Sequence, residues 1–595
     1  MKRSKHFGLL TTAGALTLLL AACQGGNTTD SGSQESNSNE NITESFTQTV
    51  VNDADAIEGG TLDVAVASDT QFVGLFSETY YTDAYDNYYM TPSHEPIFSN
   101  DDDFVITDDG VATLELDEEN NTATVTLTKE PVWSDGEPVT SEDLAYPYEV
   151  IGHPDYTGIR YDSTYSNIVG MDEYHAGTAD TISGLTIVDD KTIQITFKEM
   201  NPNMLQLSGG INASAMPKHV FESIPVADQE QSDAVRTNPV TFGPYYMSSI
   251  VTGESVEYLP NEYYYQGTPK LDKLVFTNVS TSSIVESLNS KTYDLVYSMP
   301  TDNYPDYSET DGYQMLGREQ MAYTYIGFKL GTYDTETGEN ITDPNAKMSN
   351  VNLRQAMGYA VDNDAIGERF YHGLRSGAST LIPPVFQTLH DSSITGYTYD
   401  PDKANELLDE AGYVDVDDDG IREDPDGEKL TINFASMSGG ETAQPLADYY
   451  IQQWEAVGLD VELTSGRLID FQAFYDRLEN DDTEIDVFQG AWNTGTAPSP
   501  AGLYGRTAAF NYTRFTSDEN DELLAAIDSQ ASFDDDARVD AYSAWQEYMV
   551  EQAVVIPTLY RNEILPVSNR VKSYTWNYNE TEDYFTMELT SETRD

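Results

Sequence analysis

The chain has one cysteine in 595 residues, 30 lysines and arginines against 102 aspartates and glutamates, and seven histidines. A lone cysteine excludes an internal disulfide, so packing and hydrogen bonds must hold the core. A formal net charge of −72 repels nucleic-acid phosphates and anionic membrane surfaces. The histidines (His6, His94, His153, His175, His219, His372 and His390) show no His-Glu-x-x-His or other metal-ligand spacing. In His94-Glu95-Pro96 a proline stands where a zinc-binding helix would continue. Neither a Gly-x-Ser-x-Gly elbow nor a Gly-x-x-x-x-Gly-Lys loop occurs. Carboxylates are so abundant that their proximity in sequence carries no catalytic meaning. These absences predict a binding protein rather than an enzyme, with no catalytic cofactor.

Beyond the N-terminus no stretch is long and apolar enough to cross a bilayer. At the N-terminus, Lys2, Arg3 and Lys5 precede an apolar run from Phe7 to Leu20, shorter than the ~20 residues a span needs. A basic head, a short apolar stretch and small residues read as a secretory signal over 1–22. Leu20-Ala21-Ala22-Cys23 resembles the bacterial lipobox, whose cysteine takes a diacylglyceryl thioether and begins the mature chain. Cys23 is therefore the expected lipidation site, since two or more acyl chains anchor stably where one is marginal. The rest is then expected at the extracellular face of a bacterial cell membrane. Residues 23–55, rich in Ser, Asn, Thr, Glu and Gly, are expected to form a flexible tether. The acids are spread along the whole chain, which reads as a solvated surface suited to high salt; affinity for cationic solutes is the other reading.

The folded part is expected to open with the strand in Gly59-Gly60-Thr61-Leu62-Asp63-Val64-Ala65-Val66. Further strands are expected at Ala123–Leu127 and Lys191–Phe197. Downstream, Asp400 can cap a helix with Pro401 at its first position. Ala404, Leu407, Leu408 and Ala411 form its apolar face, and Gly412 ends it. Strands at Leu430–Ser436, Leu459–Leu463 and Ile485–Trp492 alternate with helices near Ala447–Val457 and Phe471–Leu478. This alternation is α/β logic with a largely parallel sheet. Such sheets bind ligands at the carboxyl ends of their strands, where the loop Asn493–Pro500 begins.

Four runs carry a resemblance. They are Trp133-Ser134-Asp135-Gly136-Glu137-Pro138-Val139-Thr140-Ser141-Glu142-Asp143, Asn238-Pro239-Val240-Thr241-Phe242-Gly243-Pro244-Tyr245, Asn261–Tyr264 with Gly267–Asp272, and Asn352–Asp362. In this order they resemble the signatures of the extracellular solute-binding proteins of peptide and nickel ABC importers, although Thr241 and Phe242 depart from the usual Gly-Thr. The resemblance implies an α/β, two-lobed, periplasmic-binding-protein-like fold with a hinge and an extra subdomain on the first lobe. Residues 56–98, 231–320 and 556–595 would build the first lobe, 99–230 the subdomain and 321–555 the second lobe.

Peptide-binding relatives often carry Trp-x-x-Asp-Tyr after the strand equivalent to Ile485–Trp492, and the aspartate pairs with the ligand's amino group. Here the run is Trp492-Asn493-Thr494-Gly495-Thr496, without that aspartate. With Pro500–Gly505 downstream, it looks more like the oligopeptide-binding lipoproteins of lactic acid bacteria, taken to accept longer peptides in a roomy cavity. The resemblance implies that Trp492, Asn493, Thr494 and Gly495 line the ligand site. Tyr80 and Tyr85, from a tyrosine cluster, and Glu95, as partner for a ligand amine, are further candidates. The implied partners are oligopeptides, ABC permease subunits and, through the lipid, the membrane, but no nucleic acid; the implied state is a monomer. A dipeptide, metal chelate or oligosaccharide carrier and a peptide-pheromone receptor share these sequence features.

One loop has metal-ligand spacing. Asp415, Asp417, Asp419, Glu423 and Asp426 fall at positions 1, 3, 5, 9 and 12 of a calcium loop. Gly420 falls at 6 and the Ile421 carbonyl at 7. An Asp at position 12 and a strand after the loop depart from that pattern. The readings are a structural calcium ion or a solvated acidic turn.

Overall fold

The computed structural model describes residues 46–579 and 584–594. The expected signal segment, Cys23 and most of the expected tether lie outside the described residues. No helix of the described residues is long and apolar enough to cross a membrane.

One mixed sheet runs through the folded body. Its strand order is Asp460–Leu463, Thr431–Ala435, Val487–Asn493, Tyr313–Phe328, Val555–Ser568, Leu295–Tyr297, Thr61–Ala67, Lys273–Val279, Ser255–Pro260 and Tyr245–Val251. Arg375–Gly377 also pairs with Val555–Ser568. The two long central strands are antiparallel and belong to both lobes. Tyr313–Glu319 pairs with Ser568–Asn562, and Tyr323–Gly327 with Tyr560–Val555; the register shifts between Glu319 and Tyr323, and again by one residue between Thr324 and Tyr325. On one side of the first break Leu295 joins at Val567. On the other, Ala322–Phe328 pairs with Asn493–Val487. The break is therefore the lobe junction, and Arg561 stands opposite it.

The second lobe follows the α/β pattern. Thr431–Ala435, helix Ala443–Glu455, Asp460–Leu463, helix Phe471–Glu479 and Val487–Asn493 alternate, with the three strands parallel. In helix Pro401–Glu410 the Asp400 side chain accepts from the Lys403 amide, and Ala404, Leu407 and Leu408 are buried. Gly412 follows at φ +86°, the left-handed exit that glycine adopts without strain. Core residues cover both faces of this half of the sheet, with Phe434 and Trp454 on one face and Phe488 and Trp545 on the other.

The subdomain has its own antiparallel sheet, ordered Ala112–Asp117, Thr122–Leu127, Thr192–Thr196 and Leu185–Asp189. Helix Ser141–Ile151 supplies Leu144, Ala145 and Tyr148 to its core. Thr140 and Asp143 form the capping box that starts this helix.

The expected tether ends earlier than residue 55. Thr49–Val51 pairs antiparallel with Ser573–Thr575, and Val50 is fully buried. A Thr-Val-Val run has β-propensity, and an available strand edge outweighs the polar composition around it. The C-terminal segment is pinned as well. Buried Asp294 accepts from Arg570 Nε and Nη2 at 2.5 and 2.6 Å and from Arg594 Nε and Nη2 at 2.8 and 2.9 Å. Burial alone would raise the Asp294 pKa, but the two guanidiniums hold it below the ordinary carboxylate value.

Arg354, from the Asn352–Asp362 run, is 2 % exposed. Its guanidinium donates to the carbonyls of Met348 at 2.7 Å, Ser349 at 2.8 Å, Gln552 at 2.7 Å and Ala553 at 2.9 Å. It ties the start of one helix to the end of another, and burial lowers its pKa to about 10. Arg354→Met leaves four carbonyls without this donor and is expected to cost about 3 kcal/mol in urea unfolding; a loss below about 1 kcal/mol would contradict the anchoring role.

Candidate functional site

A cavity of 910 Å³ lies between the first lobe and the subdomain. One wall is Phe76–Thr79. The buried Asp86 carboxylate shapes it by accepting from the Gly74 and Leu75 amides at 2.9 and 3.0 Å. A second wall comes from two of the signature runs, which dock on each other. The Ser134 amide donates to the Thr241 carbonyl at 2.8 Å, and the Thr241 amide to Ser134 Oγ at 3.3 Å. Trp133 donates through Nε1 to Asp143 at 3.4 Å and meets Phe242 edge-on at 5.3 Å. Phe242, the departure from the usual signature, thus covers the tryptophan and lines the cavity.

The charged groups of the cavity have distinct surroundings. Burial raises Glu78 from 4.5 to about 7, with the Arg160 charge pulling against it. Arg160 lies 4.2 Å over the Tyr81 ring and donates from Nη2 to the Tyr81 carbonyl at 2.9 Å. Burial lowers His94 to about 4, so its imidazole is neutral at pH 7. Glu95 Oε1 accepts from the Tyr265 hydroxyl at 2.6 Å. Burial, and then this carboxylate, push the Tyr265 phenol up. The arrangement can seat a cationic or hydrogen-bonding group on an aromatic-walled surface.

The expected ligand residues do not come together. Glu95 lines the cavity, but none of the described lining residues belongs to the 321–555 span. Tyr80 is core: it is 1 % exposed, and its hydroxyl donates to Gln229 Oε1 at 3.0 Å. Tyr85 packs against the first lobe's core. Trp492, Asn493, Thr494 and Gly495 sit at the carboxyl end of strand Val487–Asn493 and just beyond it. Trp492 stacks on Tyr512 with ring centroids 5.8 Å apart. The Thr494 amide donates to the Met321 carbonyl at 2.8 Å, inside the register break, and the Gly495 amide to Asn493 Oδ1 at 2.9 Å. Thr496 then bonds the Leu207 carbonyl of the subdomain. Three more hydrogen bonds cross from the subdomain to the second lobe: Arg538 Nη2 to Gln206 Oε1 at 2.6 Å, Asn203 Nδ2 to Asp528 Oδ1 at 2.8 Å and the Thr388 amide to Asp103 Oδ1 at 3.2 Å. Lobe opening has to break all four. Glu78, Arg160 and Trp133 were missed as cavity residues because isolated Glu, Arg and Trp in a sequence carry no sign of mutual approach.

In the acidic loop, one oxygen each from Asp415, Asp417 and Asp419 lies within 4.8 Å of the others. Glu423 is buried, and its Oε2 accepts from the Val416 amide at 2.8 Å. The Ile421 amide donates to Asp419 at 2.8 Å. Like Glu423, Asp426 is not in the cluster. It belongs to the next turn, where its amide donates to Asp424.

The profile of the bacterial extracellular solute-binding proteins, family 5 Middle, matches residues 109–513. The oligopeptide-binding protein OppA of Lactococcus lactis subsp. cremoris (strain SK11) is 36% identical over 489 residues, 81% of this chain and 81% of that one. The chain belongs to this family. Among solved structures, lactococcal OppA complexed with an endogenous peptide in the closed conformation superposes with a TM-score of 0.76 at 34% identity, covering 89% of this chain and all of that one. AppA from Bacillus subtilis in complex with a nonapeptide shares the fold, at a TM-score of 0.66 and 19% identity over 90% of this chain and all of that one. The family fold is two-lobed, and the shared pair of long strands is its link in this member.

A carboxyl whose pKa rises on folding binds protons more tightly in the folded state, so its contribution to stability falls as pH rises from 4.5 to about 7. His94, lowered to about 4, contributes the opposite slope over the lower part of this window. The difference between wild type and Glu78→Gln isolates the carboxyl. The variant is expected to gain relative stability steadily from pH 5 to 7 and to level off above about 7, read as melting temperature against pH; a pH-independent difference would contradict the shift.

Proposed function

We propose that this chain is the lipid-anchored, extracellular binding component of an ABC importer, capturing oligopeptides and delivering them to the permease without turning them over. The observation that carries this is the match to lactococcal OppA along four-fifths of both chains. The missing aspartate after Trp492 fits a receptor that does not read a peptide N-terminus strictly there. A cavity of 910 Å³ is at the upper end of small-ligand sites, before any space between the lobes is added. Its mixed aromatic and polar wall suits recognition through backbone groups, which tolerates many side chains. Closure about the register break would bring the second lobe's Trp492–Gly495 loop onto a peptide held by the first, and the permease would read the closed form. The working unit is a monomer, anchored through Cys23.

Mass spectrometry of the chain extracted from membranes, with no ligand added, tests both parts. A spread of adducts that denaturation resolves into peptides of several lengths is expected, on a chain beginning at diacylglyceryl-modified Cys23. One adduct of a single sequence would indicate a pheromone receptor, and a non-peptide adduct would overturn the substrate. An unlipidated N-terminus would overturn the anchor.

The same proposal includes a structural calcium ion at Asp415, Asp417, Asp419, the Ile421 carbonyl and Glu423, supported by the three convergent carboxylates. EDTA is then expected to lower the melting temperature in a calcium-containing buffer, and Asp417→Asn to remove that response; an unchanged melting temperature would leave the loop a solvated turn.

A further inference from the structure

In a chain with 102 acids and 30 bases, a buried base has many available partners. Arg375 and Arg561, both half-buried, have no ion-pair partner among the described residues. They are directly opposed in the antiparallel pair formed by Arg375–Gly377 and Val555–Ser568. Directly opposed residues share a face with their Cβ atoms about 5 Å apart, and like charges there repel. Neither guanidinium makes an ion pair or a hydrogen bond among the described residues. Arg561 Nε is sealed from solvent with no partner. Burial lowers Arg561 to about 10, and the neighbouring Arg375 charge adds to that shift. Arg375 is likewise lowered by burial, and its guanidinium lies 3.6 Å from the centre of the Tyr371 ring.

The position of the pair gives this arrangement a use. Arg561 stands opposite the register break that joins the lobes. The carboxylate whose field reaches Arg375 is Asp302, just after the first-lobe strand Leu295–Tyr297. The Asp302 carbonyl is 3.1 Å from Nε2 of second-lobe His372. The two arginines therefore stand at the lobe junction. Two half-buried, like-charged guanidiniums without a counterion are destabilising by themselves. Their planar donor forks match a carboxylate.

We propose that Arg375 and Arg561 form an anion subsite at the lobe junction that takes a carboxylate of the bound peptide. The inference rests on the oligopeptide reading. The carboxylate is either the peptide's C-terminus or an acidic side chain, and both present the same planar pair of oxygens. Filling the subsite supplies the missing counterion and couples peptide chemistry to the hinge.

Calorimetric titration of the mature chain tests this with three probes: an uncharged heptapeptide with a free C-terminal carboxylate, its C-terminal amide, and that amide with one glutamine replaced by glutamate. In wild type, at least one carboxylate-bearing peptide is expected to bind about tenfold or more tighter than the neutral amide. Which one it is identifies the source. In Arg375→Gln and Arg561→Gln the affinity ratio between that peptide and the neutral amide is expected to fall to about one, and Arg561→Lys restores part of it. Removing one of two opposed like charges is also expected to leave the melting temperature unchanged or raised, whereas loss of a structural ion pair would lower it. Equal affinity for all three peptides in wild type, or an advantage that survives both variants, overturns the subsite alone. Failure of wild type to bind any of the three overturns the oligopeptide reading and the subsite with it.

Discussion

The constraint on which the structure depends is that two strands serve two lobes. Tyr313–Phe328 and Val555–Ser568 pair with each other through both halves of the sheet, so each lobe's core is built partly on backbone that belongs to the other. Neither strand can be displaced without disrupting hydrogen bonds in both cores. Freedom of movement is therefore concentrated where the ladder is interrupted between the two halves of the sheet, from Glu319 to Tyr323 and at Arg561 opposite. A register shift in an antiparallel pair lets the strands bend and twist locally while the ladders on either side stay intact. The Thr494 bond to the Met321 carbonyl then matters beyond its own energy, because it attaches a loop at the lobe junction to the interruption itself.

Much of this architecture was legible in the sequence because it is locally determined. The helix after Asp400 is specified by a cap, a proline at its first position, one apolar face and a glycine exit, all within a dozen residues. The three parallel strands of the second lobe are short β-branched and aromatic runs separated by amphipathic helices, so the period alone distinguishes them. The strand at Thr49–Val51 was not legible. Its surroundings are polar, and only the distant edge at Ser573–Thr575 makes it a strand. The position of the lobe junction was blurred for a similar reason: a register shift is a relation between two strands about 240 residues apart, and the glycines and prolines of these strands, Gly317, Gly327, Pro557 and Pro566, lie away from the Glu319–Tyr323 break.

The site was less legible than the fold. Tyr80 sits in a tyrosine cluster that reads as an adaptable binding surface, yet Tyr80 is core, since a buried tyrosine with a partner for its hydroxyl satisfies the same composition. Glu95 reached the cavity, but Glu78 could not be separated from the other acids, because burial is what distinguishes it and burial is a property of the fold. Trp133 and Phe242 show the reverse case. Their signature runs were recognised as markers, while their physical role, two loops docked to make a cavity wall, needed the tertiary structure.

Two electrostatic scales act on an acidic peptide approaching this molecule, and they have opposite signs. The net charge of −72 repels it at long range, but in salt that field decays over about 8 Å, and over about 3 Å at 1 M. The paired guanidiniums act at contact, in a half-buried junction where screening is weak and donors are preorganised. The surface field therefore bears on how fast an anionic solute arrives, and the arginine pair on how long it stays. Rising salt suppresses the first effect much more than the second. In a saline medium the chain can carry its solvated acidic surface and still hold a carboxylate at its hinge, because the repulsive charges are exposed and the attractive ones are not.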